Sequence, residues 1–311
     1  ACGEDLEDYH KLAEEKIADL NNHDHARLVN SGNSSILSVM NAIDGAILIP
    51  DQGAWNGFKQ IAKFLNKDLI TVRTNKGLIE TEFLHDALEE NKNRIDFEDE
   101  DNKSALFLTS FAAYTAEQEI SEISKFLHDE NMLLVEDASG AISDNKLADG
   151  RYSDIIMAST GSPKIVNVGD GGFVSTNDKS IFEKSRLLFK SFKTSNMTAC
   201  GIYTELDYAF DNLNKSLKAT EYIKNSLEDD FNIFHLDKRG INLIIQSDNP
   251  KKFSYDLRQE LILDNHGMIS KCPNYNRLKE KAVAIEIKNL DVSSLEKDNS
   301  DAIVDKIRNC K

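Results

Sequence analysis

The stretch "DIIMASTGSPKIVNVGDGGFVSTN", Asp154–Asn177, decides how the chain is read. Two short apolar runs flank a loop of hydroxyls and glycines that carries one lysine, Lys164. The loop lacks the P-loop pattern, and its Gly169-Asp170-Gly171-Gly172 run enters a strand instead of a helix, so it is a poor nucleotide loop. Two readings stay open on the segment alone. Lys164 is either an exposed lysine beside a tight turn, or a nucleophile on a constrained loop. In the second case desolvation or neighbouring positive charge would lower its pKa and free the amine.

Working outward, the chain from about residue 26 alternates short apolar runs with amphipathic stretches. "ARLV" leads to a helix from Ser34 to Ile43, and "AILIP" to one from about Trp55 to Leu65, followed by "LITVR". "SALFLTS" leads to a helix from Glu117 to Asp129 and then to "MLLVEDA". Continuous apolar runs fit strands buried on both faces, and their alternation with helices predicts an α/β fold with a mainly parallel sheet. Ligands of such sheets gather at the carboxyl ends of the strands. After Asp178 a helix over Ile181–Phe192, an irregular "KTSNMTACG" loop and a long helix over Glu205–Asp229 are expected. "GINLIIQ", a helix over Lys251–Leu263, "GMISKC", "AVAIEIK" and a helix over Asp301–Asn309 complete the chain. The expected organisation is an N-terminal helical segment (1–25), a large domain (26–200), a linking helix (201–230) and a small C-terminal α/β domain (231–311).

Several strand ends carry residues with chemistry. "VNSGNSSILSVM" (Val29–Met40) runs from a strand through Gly32, Asn33 and Ser34 into a helix whose first amides and dipole can hold an anion. The same residues also serve a plain capped helix. Trp55, the only tryptophan, follows the next strand and either stacks on a planar ligand or packs in the core or at an interface. Glu136-Asp137 ends "LLVED", and a partly desolvated carboxylate there needs a metal, a cation, a protonated ring nitrogen or a partner within its own turn. No metal site is expected, because the His23-x-His25 pair lies in a polar stretch that reads as solvated surface.

The composition narrows the partners. The 311 residues are 40% hydrophobic and 29% charged with a net charge of -16, and the pI is near 4.9. No basic stripe suits nucleic acid or an anionic membrane, and no stretch approaches a membrane span. Four scattered cysteines, Cys2, Cys200, Cys272 and Cys310, form no metal spacing or disulfide framework, so a cytoplasmic location is expected.

In their order along the chain these pieces resemble the fold-type-I pyridoxal-phosphate enzymes, most closely the DegT-type aminotransferases, which aminate keto-sugars. The resemblance covers about residues 26–180. "NSGNSS" stands where the family has S-G-T-A-A, "EDASGAIS" where it has "EDAAQAHG", and Ser159 and Lys164 match the spacing of its "SFxxxK" loop. It implies an aspartate-aminotransferase-like large domain and pyridoxal 5'-phosphate as cofactor. It further implies that Gly32, Asn33, Ser34 and Ser159 bind the phosphate and that Trp55 stacks on the pyridine ring. Asp137 would pair with the ring nitrogen, and Lys164 would form the Schiff base and shuttle a proton. A homodimer acting on a small-molecule amino donor and keto acceptor follows.

The departures are specific. Gly140 and Ile142 replace the family's glutamine and histidine after the aspartate, and "GIYTELDYAFDNL" only loosely echoes its "GxNxR" segment. In "KCPNYNRLKEKAVAIEIKNLD", Arg277 is the candidate clamp for a substrate carboxylate, against the alternative of a cation pairing with the protein's own acids. Cys272 reads as a small buried residue or a reactive thiol. The expected activity is transamination. The alternatives are a lyase or sulfur- or selenium-transferring relative, and a cofactor-binding protein without turnover.

Overall fold

The computed structural model describes residues 8–97, 102–261 and 267–311. The chain begins with α1 (Tyr9–Leu20), β1 (His25–Val29), α2 (Gly32–Ala42), β2 (Ile47–Pro50), α3 (Asn56–Phe64), β3 (Leu69–Val72) and α4 (Thr81–Asn91). β4 (Ala105–Thr109) precedes a tight hairpin of β5 (Phe111–Ala112) and β6 (Ala116–Glu117), after which come α5 (Ile120–Asp129), β7 (Leu133–Asp137), β8 (Ile155–Ser159) and β9 (Gly172–Thr176). The remainder is α6 (Ser180–Lys184), α7 (Arg186–Ser191), α8 (Asn196–Glu205), α9 (Ala209–Leu227), β10 (Leu243–Gln246), α10 (Pro250–Glu260), β11 (Ile269–Lys271), β12 (Ala282–Ile285) and α11 (Lys297–Arg308).

Seven strands form one sheet in the order β1-β9-β8-β7-β4-β2-β3. β3, β2, β4, β7 and β8 pair in parallel, while β9 runs antiparallel to both β8 and β1. The exception has a simple cause. Strands pair in parallel only across a long crossover, and between β8 and β9 the chain has a loop and no helix. It therefore turns back, with Ser159 opposite Gly172.

Alternation along the strands feeds two cores. Leu48, Leu106, Leu108 and Ile156 point to the face covered by α1, α4, α5 and α8. Ile47, Ile49, Phe107, Val135 and Met157 point to the face covered by α2, α3 and α6. Each such side chain contributes about 1.5–3 kcal/mol by leaving water, so both faces are strongly specified. The C-terminal domain has its own antiparallel sheet, β10-β12-β11, backed by α9, α10 and α11. Among the described residues no helix is long and apolar enough to cross a membrane.

The helix limits differ from the sequence reading where local pairing wins. "KTSNMTACG" is not an irregular loop. Ser195 caps a helix there by accepting from the Thr198 amide at 3.1 Å. The segment Ile181–Phe192 is two short helices broken at Ser185, whose hydroxyl donates to the Ser38 carbonyl at 2.6 Å. α5 begins only at Ile120 because residues 116–117 are held in the hairpin. α10 ends at Glu260, and the expected end at Leu263 lies outside the described residues, as does Cys2. His23 is buried rather than solvated, its ring between Ser175 Oγ (2.9 Å) and the Ser153 carbonyl (3.0 Å), and burial pushes its pKa down.

Lys224 on α9 joins the two domains. Fully buried, its ammonium donates to the carbonyls of Thr115 (2.9 Å), His235 (2.9 Å) and Lys238 (2.8 Å). These come from the β5–β6 hairpin and from the segment leading into β10. Lys224→Met fills the space but leaves one buried and two partly buried acceptors without their donor, so a loss of about 1–3 kcal/mol is expected. Denaturant unfolding of the variant against the parent checks this; equal midpoints would show that the ammonium does not hold the seam.

Candidate active site

Period-two alternation on β7 sends Glu136 and Asp137 to opposite faces. Glu136 is locked inside by Ser110 Oγ, Ser153 Oγ and the Ala148 amide, and burial raises its pKa. Asp137, at the carboxyl end of the strand, lines a cavity of about 270 Å3. Burial pushes its pKa up, against the hydrogen bonds that Ser139 donates to Oδ1 from its hydroxyl (2.5 Å) and amide (3.0 Å). Among the described residues Oδ2 accepts no hydrogen bond. A desolvated carboxylate with one oxygen left over suits a cationic ligand atom.

The opposite end of this cavity is formed by the start of a helix, where free amides favour an anion. Ser31, Gly32 and Asn33 line it at the start of α2, with Ser159 beside them. Side chain and backbone meet closely here: a Cβ on Gly32 would fall 2.6 Å from Ser159 Cβ. Only glycine lets the first amides of α2 approach β8. Ser34 does not line the cavity. Its hydroxyl donates to Asn30 Oδ1 at 2.6 Å and lies 2.8 Å from Ser31 Oγ, so it stabilises the cap, and Ser31 supplies the hydroxyl at the cavity. Trp55 is 42% exposed at the rim, its Nε1 donating to Asn33 Oδ1 at 3.0 Å.

Lys164 lines this cavity and a second one of about 560 Å3. Its Nζ donates to Tyr114 Oη at 3.0 Å. Tyr114 sits in the β5–β6 turn at φ 63°, and its ring lies where a Cβ on Gly140 would meet it at 2.9 Å. The small residue in place of the family's glutamine therefore makes room for the phenol. Burial alone would depress the Lys164 ammonium, but Tyr114 and then Asp137 outweigh it and hold the pKa above the usual lysine value. This reverses the lowered pKa expected from the sequence. Without a ligand the amine is a stabilised cation.

The C-terminal domain contributes Arg277 and Lys288. Arg277 is not a free clamp. Its fork is engaged with Glu286, Nε and Nη2 each 2.7 Å from a carboxylate oxygen, and its side chain is 12% exposed. Freeing it would leave Glu286 buried without its main partner, a loss of about 3–5 kcal/mol. Lys288, on the turn after β12, lines the larger cavity, and burial lowers its pKa to about 7. Cys272 is buried, its thiol pKa is raised by burial, and it lines neither cavity.

Tyr114, Ser139 and Lys288 were missed by sequence reasoning. Ser139 stands two residues after Asp137, where Asx-turn geometry offered a signal. Tyr114 and Lys288 lie in turns with no periodicity to mark them.

Among known proteins, the DegT/DnrJ/EryC1/StrS aminotransferase family matches residues 6–203 and the MJ1341 family C-terminal domain matches residues 210–308. No curated protein sequence matches the chain. Among solved structures, a DegT DnrJ EryC1 StrS aminotransferase from Brucella abortus is 16% identical, with a TM-score of 0.74 over 98% of this chain and 90% of its own. A serine palmitoyltransferase from S. paucimobilis, solved with bound PLP and myriocin, is 12% identical with a TM-score of 0.75 over 97% of this chain and 76% of its own. An alanine–glyoxylate aminotransferase from Nostoc sp. is 14% identical with a TM-score of 0.70, covering 97% and 86%. The cofactor is pyridoxal 5'-phosphate. The unshared oxygen of Asp137, the amine of Lys164 and the free amides at the start of α2 are of the chemical kinds that fit its ring nitrogen, aldehyde and phosphate in turn. The chain, a fold-type-I pyridoxal-phosphate protein, belongs to the DegT/DnrJ/EryC1/StrS aminotransferase family.

Proposed function

We propose that the chain is an aminotransferase that works as a homodimer on a small amino donor and a keto acceptor. The observation that carries this reading is the position of Lys164 Nζ between two cavities, one fitted to the cofactor and one with room for a substrate. When bound, pyridoxal phosphate supplies an electrophilic carbon and an electron sink. Asp137 acts as the carboxylate that holds the ring nitrogen protonated. Gly32, Asn33, Ser31 and Ser159 anchor the phosphate, and Trp55 covers the ring. Lys164 would hold the cofactor through its amine, and Tyr114 Oη, 3.0 Å from Nζ, would steady that amine as it gives and takes a proton. General acid–base help of this kind is worth about 10²–10⁴ in rate.

Transamination is favoured over thiol-based sulfur transfer by the lining itself, since among the described residues no cysteine lines either cavity. The dimer is supported by Trp55 at the rim and by exposed Leu187, Met197, Tyr208 and Phe210, a set of apolar side chains that a partner would cover.

Purified protein loaded with cofactor should absorb in the visible, and borohydride should abolish the band and leave the label on Lys164. A panel of amino donors should then convert the unreduced protein to the pyridoxamine form, and Lys164→Ala should slow this by about 10²-fold or more. A label on another lysine, or a spectrum unmoved by every donor, would sink the aminotransferase reading.

A second expectation concerns Tyr114. Because this residue raises the Lys164 pKa, Tyr114→Phe should let the amine deprotonate at lower pH. In the cofactor-free protein, an amine-acylating reagent should then label Lys164 faster near neutrality than in the parent, as read by peptide mass spectrometry. An unchanged pH profile would remove Tyr114 from control of the amine.

A further inference from the structure

Two lysines line the larger cavity beside Tyr114: Lys164, which also lines the cofactor cavity, and Lys288, which does not. The ammonium groups of Lys164 and Lys288 lie 5.3 and 5.0 Å from the centroid of the Tyr114 ring, and the Arg277 guanidinium lies 5.3 Å from it. Glu286 attracts both Arg277 and Lys288, and Asp137 attracts Lys164. Glu286 is held by Arg277, and Asp137 faces the cofactor cavity. Lys288 is the cation held least tightly. Its side chain is 10% exposed, its Nζ donates to Asn289 Oδ1 at 2.7 Å, and its ion pair with Glu286 Oε2 is long at 3.9 Å, outside hydrogen-bond range.

We infer that Lys288 receives the carboxylate of the substrate in the larger cavity, in the role that the Arg277 fork cannot take while Glu286 occupies it. The inference rests on the aminotransferase reading and names the substrate class as an amino or keto acid. Lys288 and Lys164 line one cavity and flank one ring, so a small molecule whose carboxylate meets the first presents its nitrogen towards the second. Arg277 and Glu286 act behind Lys288, the pair fixing the turn after β12 and the guanidinium adding positive potential. Glu205 and Asp291 line the same cavity. Their charges keep its field weak and oppose a doubly charged phosphate while leaving a single carboxylate tolerated.

The groups around Lys288 also set a pH dependence. Burial first, then the charges of Lys164 and Arg277, bring Lys288 down to about 7 against the pull of Glu286. The ammonium that binds the carboxylate is present below that pH and lost above it. The dissociation constant should rise about tenfold from pH 6 to pH 8. Arg277 stays charged throughout.

Propionate binding, followed by NMR on both the cofactor-free and the cofactor-loaded protein, tests the assignment, with propionamide as the uncharged control. The parent should bind propionate about tenfold tighter at pH 6 than at pH 8. Lys288→Arg should bind at both pH values, and Lys288→Met should bind weakly at both. In turnover, Lys288→Met should raise the donor KM by tenfold or more and change kcat little. Propionate affinity unchanged in Lys288→Met, or a pH dependence that persists in Lys288→Arg, overturns the inference. Inorganic phosphate binding the loaded protein more tightly than propionate, and through Lys288, overturns the carboxylate assignment. A protein that binds propionate through Lys288 but transaminates no donor would instead count against the aminotransferase reading alone.

Discussion

Tyr114 is the point on which the site depends. Its carbonyl accepts the amides of Ile241 (2.8 Å) and Asn242 (2.9 Å), which ties the β5–β6 hairpin to the C-terminal domain. Its hydroxyl holds Lys164, and its ring lies among three cations. A tyrosine at positive φ is uncommon and is kept only where the surroundings over-determine it. Gly140 leaves the space, the hairpin fixes the turn and Asn242 fastens the far side. One residue thus sets the distance between the amine from the large domain and the cations from the small one.

An acidic chain that binds an anionic cofactor must do so without a general positive field. The solution is local. Ser31, Gly32, Asn33 and Ser159 line one end of the smaller cavity, and among the described residues no lysine or arginine except Lys164 lines it. Cations are concentrated instead around Tyr114, where burial makes each of them count for more. The division also separates tasks: neutral dipoles at the phosphate end, charge where the amine sits.

Much of this was legible in the sequence because parallel sheets put chemistry at strand ends. Asp137 and Ser159 close apolar runs, Gly32 and Trp55 follow theirs within five residues, and the order of the runs carried the family resemblance. Ser34 was misplaced by a finer rule: it stands in the first turn of α2, where helical rotation sends its hydroxyl to Asn30 and the cap. Arg277 was misplaced for another reason. Its partner Glu286 is nine residues on, across a turn and at the end of β12, and only the folded register brings the two together. Lys288 and Tyr114 escaped because turns have no period, and nothing in the sequence says which turn faces which cavity.

The antiparallel return of β9 has a consequence for how strongly the amine is held. The loop bearing Lys164 starts from β8 and ends in β9, two strands that are direct ladder neighbours with Ser159 against Gly172. Both ends are therefore fixed to the same rigid sheet, and the Val168 amide donates to the Thr160 carbonyl at 3.0 Å to cinch the loop further. The conformational entropy of that segment is surrendered when the sheet folds, at about 1–2 kcal/mol per residue. Little of it is left to lose when a ligand arrives, so affinity for the cofactor is not spent on ordering the loop. A crossover helix in the same place would have left the lysine on a longer tether, and cofactor capture would have carried the cost of bringing it to rest.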